Sequence, residues 1–172
     1  MSRLLVPVSS FDHIQGPEDA AITLVEYGDY ECPYCGEAYP VIKEVQRMLG
    51  NRMRFVFRNF PISEIHPNAL PAARFAEAAA IAGRFWEAHD LLYQNQQALE
   101  TGDLLRYAAQ LKVDHTLLQA AAEGNFDPRI ERDFMGGVRS GVNGTPSLFI
   151  NGRRYDGPRD VESLIDALGV VA

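Results

Sequence analysis

Two cysteines, Cys32 and Cys35, lie three positions apart in the stretch "VEYGDYECPYC", and the chain has no others. Such a pair can clip a metal, staple a loop or exchange disulfides. A four-ligand zinc site takes its remaining ligands from a second paired motif as a rule. The four histidines, His13, His66, His89 and His115, show no metal-ligand spacing, and none is near the cysteines in the chain. A staple across so small a loop removes little entropy from the unfolded state. The reactive reading has a mechanism. A cysteine at the start of a helix faces unpaired N–H groups and the positive end of the helix dipole, which favour thiolate over thiol. The pKa then falls from about 8.5 to about 3.5–7. Cys35, one turn on, can attack a mixed disulfide formed at Cys32. Cys32 is therefore the expected nucleophile and Cys35 the resolving thiol, with Pro33 stiffening the dipeptide between them and Tyr34 adding apolar surface.

The chemistry needs a strand and a helix to place it. Ile22, Leu24 and Val25 start a buried strand ending at Gly28, and from Pro33 to Leu49 the apolar spacing is helical. Pro33 suits a first turn, and Pro40 should kink the helix. The segment Met53–Ile62 reads as a second strand stopped at Pro61, so strand, helix and strand imply a parallel pair. From His66 to about Val138 the pattern is helical throughout, with Asp103 and Asp114 as caps and Asp127-Pro128 as a helix opening. Strand character returns around Asn151-Gly152, a strong hairpin signal, before a last helix from Val161 to Leu168. The order is βαβ, a helical block, then ββα.

Two acids flank the pair. Glu26 falls in the apolar strand, where a carboxylate is costly unless it has a task. The reading is a proton acceptor for Cys35 with a raised pKa. Asp29 is expected at the surface. Thr145-Pro146, at the mouth of the later strand, is a candidate cis peptide. Asn143-Gly144-Thr145 matches a glycosylation sequon, discounted because this loop is expected beside the cysteines.

At 172 residues, 47% hydrophobic and 23% charged, the chain has the length and composition of one globular domain or a domain carrying an insertion. A formal charge of −7, with scattered basic residues, argues against a nucleic-acid partner. No apolar run is long enough for membrane insertion. The N-terminal Leu4–Val8 stretch falls short of the roughly 7–15 apolar residues of a secretory h-region. The expectation is a cytoplasmic protein as written, or a periplasmic or other extracytoplasmic one if a leader was removed.

With these pieces together the chain resembles the DsbA-like thiol:disulfide oxidoreductases of the thioredoxin-fold superfamily. The likeness rests on "VEYGDYECPYC", "FRNFPI" with "HPNALPAARFAEAA", "GRFWEAHDLLYQNQ" and "GVNGTPSLFINGRRYDG". It implies an α/β thioredoxin fold with a mixed central sheet and an all-helical domain inserted after the second core strand. The expected boundaries are 1–62 with 139–172 for the thioredoxin-like part and 63–138 for the insertion. It implies Cys32 and Cys35 as the active pair, Glu26 as the buried acid beneath it, and Thr145-Pro146 as a cis-proline loop that offers its backbone to a substrate peptide. No metal or organic cofactor is implied; the partners would be protein thiols and disulfides and an electron-transfer partner. Two alternatives stand beside it: a glutathione-linked, glutaredoxin-like reductase, suggested by Pro33-Tyr34, and a non-catalytic peptide-binding or chaperone module, which would not need Cys35. Phe85-Trp86 is expected in the core more than in a peptide groove.

Overall fold

The computed structural model describes residues 2–169. In chain order its elements are β1 (His13–Gln15), β2 (Ile22–Gly28), α1 (Pro33–Leu49), β3 (Met53–Asn59), α2 (Ala69–Ile81), α3 (Phe85–Gln94), α4 (Thr101–Leu111), α5 (His115–Ala122), α6 (Asp127–Arg139), β4 (Ser147–Ile150), β5 (Arg153–Tyr155) and α7 (Val161–Ala167). A short 3₁₀ turn, Gly50–Arg52, joins α1 to β3. The sheet order is β1-β3-β2-β4-β5. β2 and β3 are parallel, in register from Ile22 opposite Met53 to Gly28 opposite Asn59. The other pairs are antiparallel. This is the mixed parallel and antiparallel sheet that the order of elements predicts, with α2–α6 entering between β3 and β4.

β1 is the one strand that the apolar pattern does not announce. Three residues are too few to display a period, and this segment is a strand because it pairs with the free edge of β3. The β4–β5 turn does follow from its residues. Asn151 and Gly152 both have positive φ, at 47° and 82°, as a two-residue hairpin turn requires. Asn151 also accepts the N–H of Thr23 at 2.8 Å, which seats the hairpin on the start of β2.

Alternation along the central strands divides the core. Leu24, Phe55, Phe57 and Leu148 share one cluster with Cys35, Ala38, Ile42 and Val45 of α1, Leu92 of α3 and Leu164 of α7. Val25, Tyr27, Val56 and Phe149 face the other way, against Phe60, Phe134 of α6 and the N-terminal Leu4 and Val8. The first cluster continues without a break into Ala72, Phe75 and Leu104 of the helical segment. Phe85 is buried and meets the Trp86 ring edge-on, and Trp86 packs on Phe55, so this pair belongs to the core. The helices are tied to the end of β3 by polar contacts as well: Asn59 Nδ2 donates to Glu77 Oε2 at 3.0 Å and to Asp133 Oδ2 at 3.1 Å.

Two expected caps fare differently. Asp114 does cap α5, accepting the N–H of Thr116 at 2.8 Å. Asp103 does not cap α4; it sits in the first turn and accepts the N–H of Glu100, the true cap residue, at 3.1 Å. The helix starts a few residues early because a side chain reaching back from the third helical position satisfies the same unpaired donors. The second core strand ends at Asn59, just short of Pro61, the residue expected to stop it.

Candidate active site

β2 ends at Gly28 and α1 begins at Pro33, so Cys32 is the N-cap residue, with extended backbone (φ −69°, ψ 123°) and no side-chain cap. Pro33 takes the first helical turn, where a missing N–H leaves no bond unmade. Cys32 is 3% exposed and Cys35 0%, both as free thiols. Only the first can be reached by a partner. Tyr34, 59% exposed, stands in the solvent beside it.

The two sulfurs have been driven apart in acidity. The Cys32 thiol is pulled down to about 5, first by the hydrogen bond from Cys35, then by Thr145 and the main-chain N–H groups of Cys35 and Tyr34, against the effect of burial. Burial pushes Cys35 well above its ordinary value, and its bond to Cys32 and the nearby Glu26 push the same way. This is the arrangement that a nucleophile and a resolving thiol require.

The third expected residue, Glu26, lies in the middle of β2, opposite Phe57 of β3 and Leu148 of β4. It is 2% exposed, and its Oε2 has no hydrogen-bond partner. Burial raises its carboxyl to about 8, with the Cys32 charge adding to the shift and Arg159 opposing it. At neutral pH it therefore holds a proton inside the core, within electrostatic reach of both cysteines.

The Thr145-Pro146 bond is cis, and the loop it forms is brought 113 residues along the chain to the cysteines. Cys32 Sγ donates to the Thr145 carbonyl at 3.5 Å. Thr145 Oγ1 is buried without a partner, free to donate to the sulfur once it ionises. Pro146 is buried and Pro33 exposed. The structure thus brings together Cys32, Cys35, Glu26, Thr145 and Pro146, with Pro33 and Tyr34 between the thiols.

Asp29 is not at the surface. It is 1% exposed, and its carboxylate accepts from the N–H groups of Glu31 (2.8 Å), Cys32 (3.1 Å) and Ile62 (2.8 Å). His66 Nδ1 lies 2.8 Å from the same group. So a histidine distant in sequence does stand beside the cysteine loop. The expectation failed because Ile62 and His66 come from the β3–α2 loop, which no local window contains. A carboxylate with so many donors is satisfied in the interior.

Gln96, also without a signal in the sequence, donates from the loop after α3 to the carbonyls of Tyr30 (3.0 Å) and Cys32 (2.9 Å). Gly36 makes room for it: a Cβ there would stand 2.0 Å from Gln96 Oε1. Gly36→Ala should displace Gln96, orphan the Tyr30 carbonyl, leave the Cys32 carbonyl with the residue-36 N–H alone, and lower stability by about 1–3 kcal/mol. A urea titration that leaves the midpoint unmoved contradicts this role. Among the described residues, no group of three or more His, Cys, Asp or Glu is arranged to hold a metal.

Comparison with known proteins gives a consistent result. A family model described as Thioredoxin matches residues 9–169. The chain is 44% identical over 167 residues to the Na(+)/H(+) antiporter NhaA 3 of Salinispora tropica, covering 96% of this chain and 26% of that protein. It is 40% identical over 158 residues to the NhaA antiporter of Herminiimonas arsenicoxydans, covering 91% of this chain and 25% of the relative. The chain thus spans about a quarter of the length of these curated relatives. Among solved structures it superposes on a thioredoxin-like oxidoreductase from Silicibacter pomeroyi with a TM-score of 0.82, 26% identity and coverage of 94% of this chain and 92% of the other. It also superposes on BdbD from Bacillus subtilis, with a TM-score of 0.78, 21% identity and coverage of 91% and 90%.

Proposed function

The chain belongs to the thioredoxin family, and we propose that it is a thiol:disulfide oxidoreductase that exchanges its Cys32–Cys35 pair with protein substrates. The observation that carries this is the split acidity: a thiolate at about 5 on the reachable cysteine, and a buried partner held as thiol beside a protonated carboxyl. In the oxidising direction a substrate thiolate attacks Cys32 of the disulfide, the Cys32–Cys35 bond breaks, and Cys35 leaves with the proton of Glu26. A second substrate thiolate then attacks the first substrate sulfur in the mixed disulfide, forming the substrate disulfide and expelling Cys32 as thiolate. Two electrons pass from substrate to the pair; reduction of a substrate disulfide is the same path reversed. No metal or organic cofactor enters.

The stabilised thiolate makes the reduced pair favourable and its disulfide the stronger oxidant, which favours the oxidising direction. The cis loop supports substrate binding: the backbone beside Pro146 is offered to an extended peptide, as strand addition would use it, with Pro33 and Tyr34 on the approach. A resolving thiol placed beside a buried acid has no use in a peptide-binding module, which weighs against that alternative. The test is oxidation of a reduced protein thiol by the disulfide form. Cys32→Ser should abolish it, together with the thiolate absorbance that titrates near pH 5. Retention of full activity by that variant, or a reduction potential at or below the cytosolic glutathione poise, sinks the oxidant reading.

The relatives favour a second point, on where the exchange is used. Proteins named as antiporters carry a stretch like this chain, so the thiols of a membrane transporter are candidate substrates. Among the described residues no helix is long and apolar enough to cross a membrane. Membrane fractions offered to the Cys35→Ala protein should yield a covalent adduct of that kind; adducts confined to soluble proteins contradict this.

A further inference from the structure

The reactive loop needs something to hold Cys32 in line with Cys35 and the Thr145 carbonyl, because its own N-cap position is empty of side-chain bonds. The local half of that support is Asp29 Oδ1, which accepts from Glu31 and Cys32 N–H groups. The distant half is Asp29 Oδ2, which accepts from Ile62 N–H and meets His66. One buried carboxylate therefore joins the cysteine loop to the β3–α2 loop. A parallel strut lies beside it: Glu31 accepts the main-chain and side-chain N–H groups of Asn68 at 2.9 and 2.8 Å, at the start of α2. On the far side Tyr93 donates to the Asp29 carbonyl at 3.4 Å.

We infer that Asp29, with His66 behind it, is a positioning residue of the exchange reaction, holding the Cys32 main chain in the geometry from which Cys35 resolves a mixed disulfide. The inference rests on the exchange reading above. Its physical content is that the side chain touches the main chain of the nucleophile but neither sulfur. Removing it shifts where Cys32 sits without removing any reacting group. A displacement of about 1 Å in such a site can slow a step by about a hundredfold.

Asp29→Asn separates the two halves. The amide oxygen can still serve Glu31 and Cys32, while the NH2 turned toward Ile62 meets a donor with a donor. The probe is oxidised glutathione: Cys32 attacks it, releasing one glutathione, and Cys35 resolves the adduct, releasing the second. In Asp29→Asn the second release should slow about tenfold or more, and the pH midpoint of the Cys32 thiolate should move. Glu77→Gln serves as a stability control, since it disturbs a buried polar cluster made with Asn59 rather than with the cysteine loop. If Asp29→Asn merely loses stability like that control, with resolution rate and thiolate midpoint unchanged, the role is structural and the inference fails. Should Asp29→Asn not fold, His66→Ala takes its place: a smaller slowing supports the inference and an unchanged rate overturns it. A wild-type protein that releases no glutathione sinks the exchange reading itself, and the positioning role with it.

Discussion

Cys35→Ala should convert the protein from a catalyst into a trap. Cys32 loses the Cys35 side-chain bond, the strongest of the influences that lower its pKa, but keeps those of Thr145 and of the Tyr34 and residue-35 N–H groups, which continue to favour the thiolate that attacks a disulfide. What disappears is the one thiol placed to release the adduct. A group held in position stands in for molar or much higher concentrations of the same group in solution, so release should slow by about a thousandfold or more. The measurement is non-reducing electrophoresis after mixing with an oxidised protein substrate, followed by mass spectrometry of the adduct. Adducts mapping to Cys32 and dissolving on reduction are expected; absence of any adduct, with the fold intact, contradicts the assignment of Cys32 as nucleophile. Cys35 itself, 0% exposed, should not form adducts in Cys32→Ser.

The second large effect is on stability, and its sign is opposite to that of most core substitutions. Glu26 has a folded-state carboxyl raised from 4.5 to about 8 by burial. Below pH 4.5 the folded and unfolded chains both hold this proton and the group contributes nothing. As pH rises the unfolded chain gives the proton up while the folded chain keeps it, so stability falls until about pH 8 and then levels off. At 1.36 kcal/mol per pH unit, the full penalty is roughly 4–5 kcal/mol. Glu26→Gln keeps the shape and removes the titration. It should match the wild type near pH 4 and exceed its stability by several kcal/mol at pH 8, or about 10 °C in melting temperature for a chain of this size. Without its proton donor, release of Cys35 should slow by about a hundredfold, the usual worth of a placed acid or base. A stability difference that does not change between pH 4 and pH 8 refutes the buried, protonated state of Glu26. The pairing of a more stable protein with a slower reaction is the mark of a carboxyl kept for its chemistry.

Some of this could be read directly along the chain. The strand through Ile22–Gly28, the helix from Pro33, the Asn151-Gly152 hairpin and the Asp114 cap are each set by a few neighbouring residues, and the structure has them where their residues place them. Glu26 was legible because an acid inside an apolar strand is an anomaly visible without coordinates. β1 was not, since a three-residue edge strand owes its existence to the backbone it pairs with. Asp103 misled because a capping box begins one turn before the residue that looks like the cap. Asp29 misled more seriously: a loop aspartate is usually solvated, and only Ile62 and His66, folded back from more than thirty residues away, make it an interior one.

By itself, then, the sequence determined the spaced cysteine pair and the elements on which it is carried. Cysteine spacing, helix-start chemistry and hydrophobic period are all local properties, written within windows of a turn or a strand. The tertiary structure alone decided which distant groups surround the pair: Thr145 at the sulfur of Cys32, Gln96 on its carbonyl, Asp29 and His66 beneath its loop. Those contacts depend on chain reversals that no single window contains. Of them, Thr145 lowers the Cys32 thiol from across the fold, while burial raises Cys35.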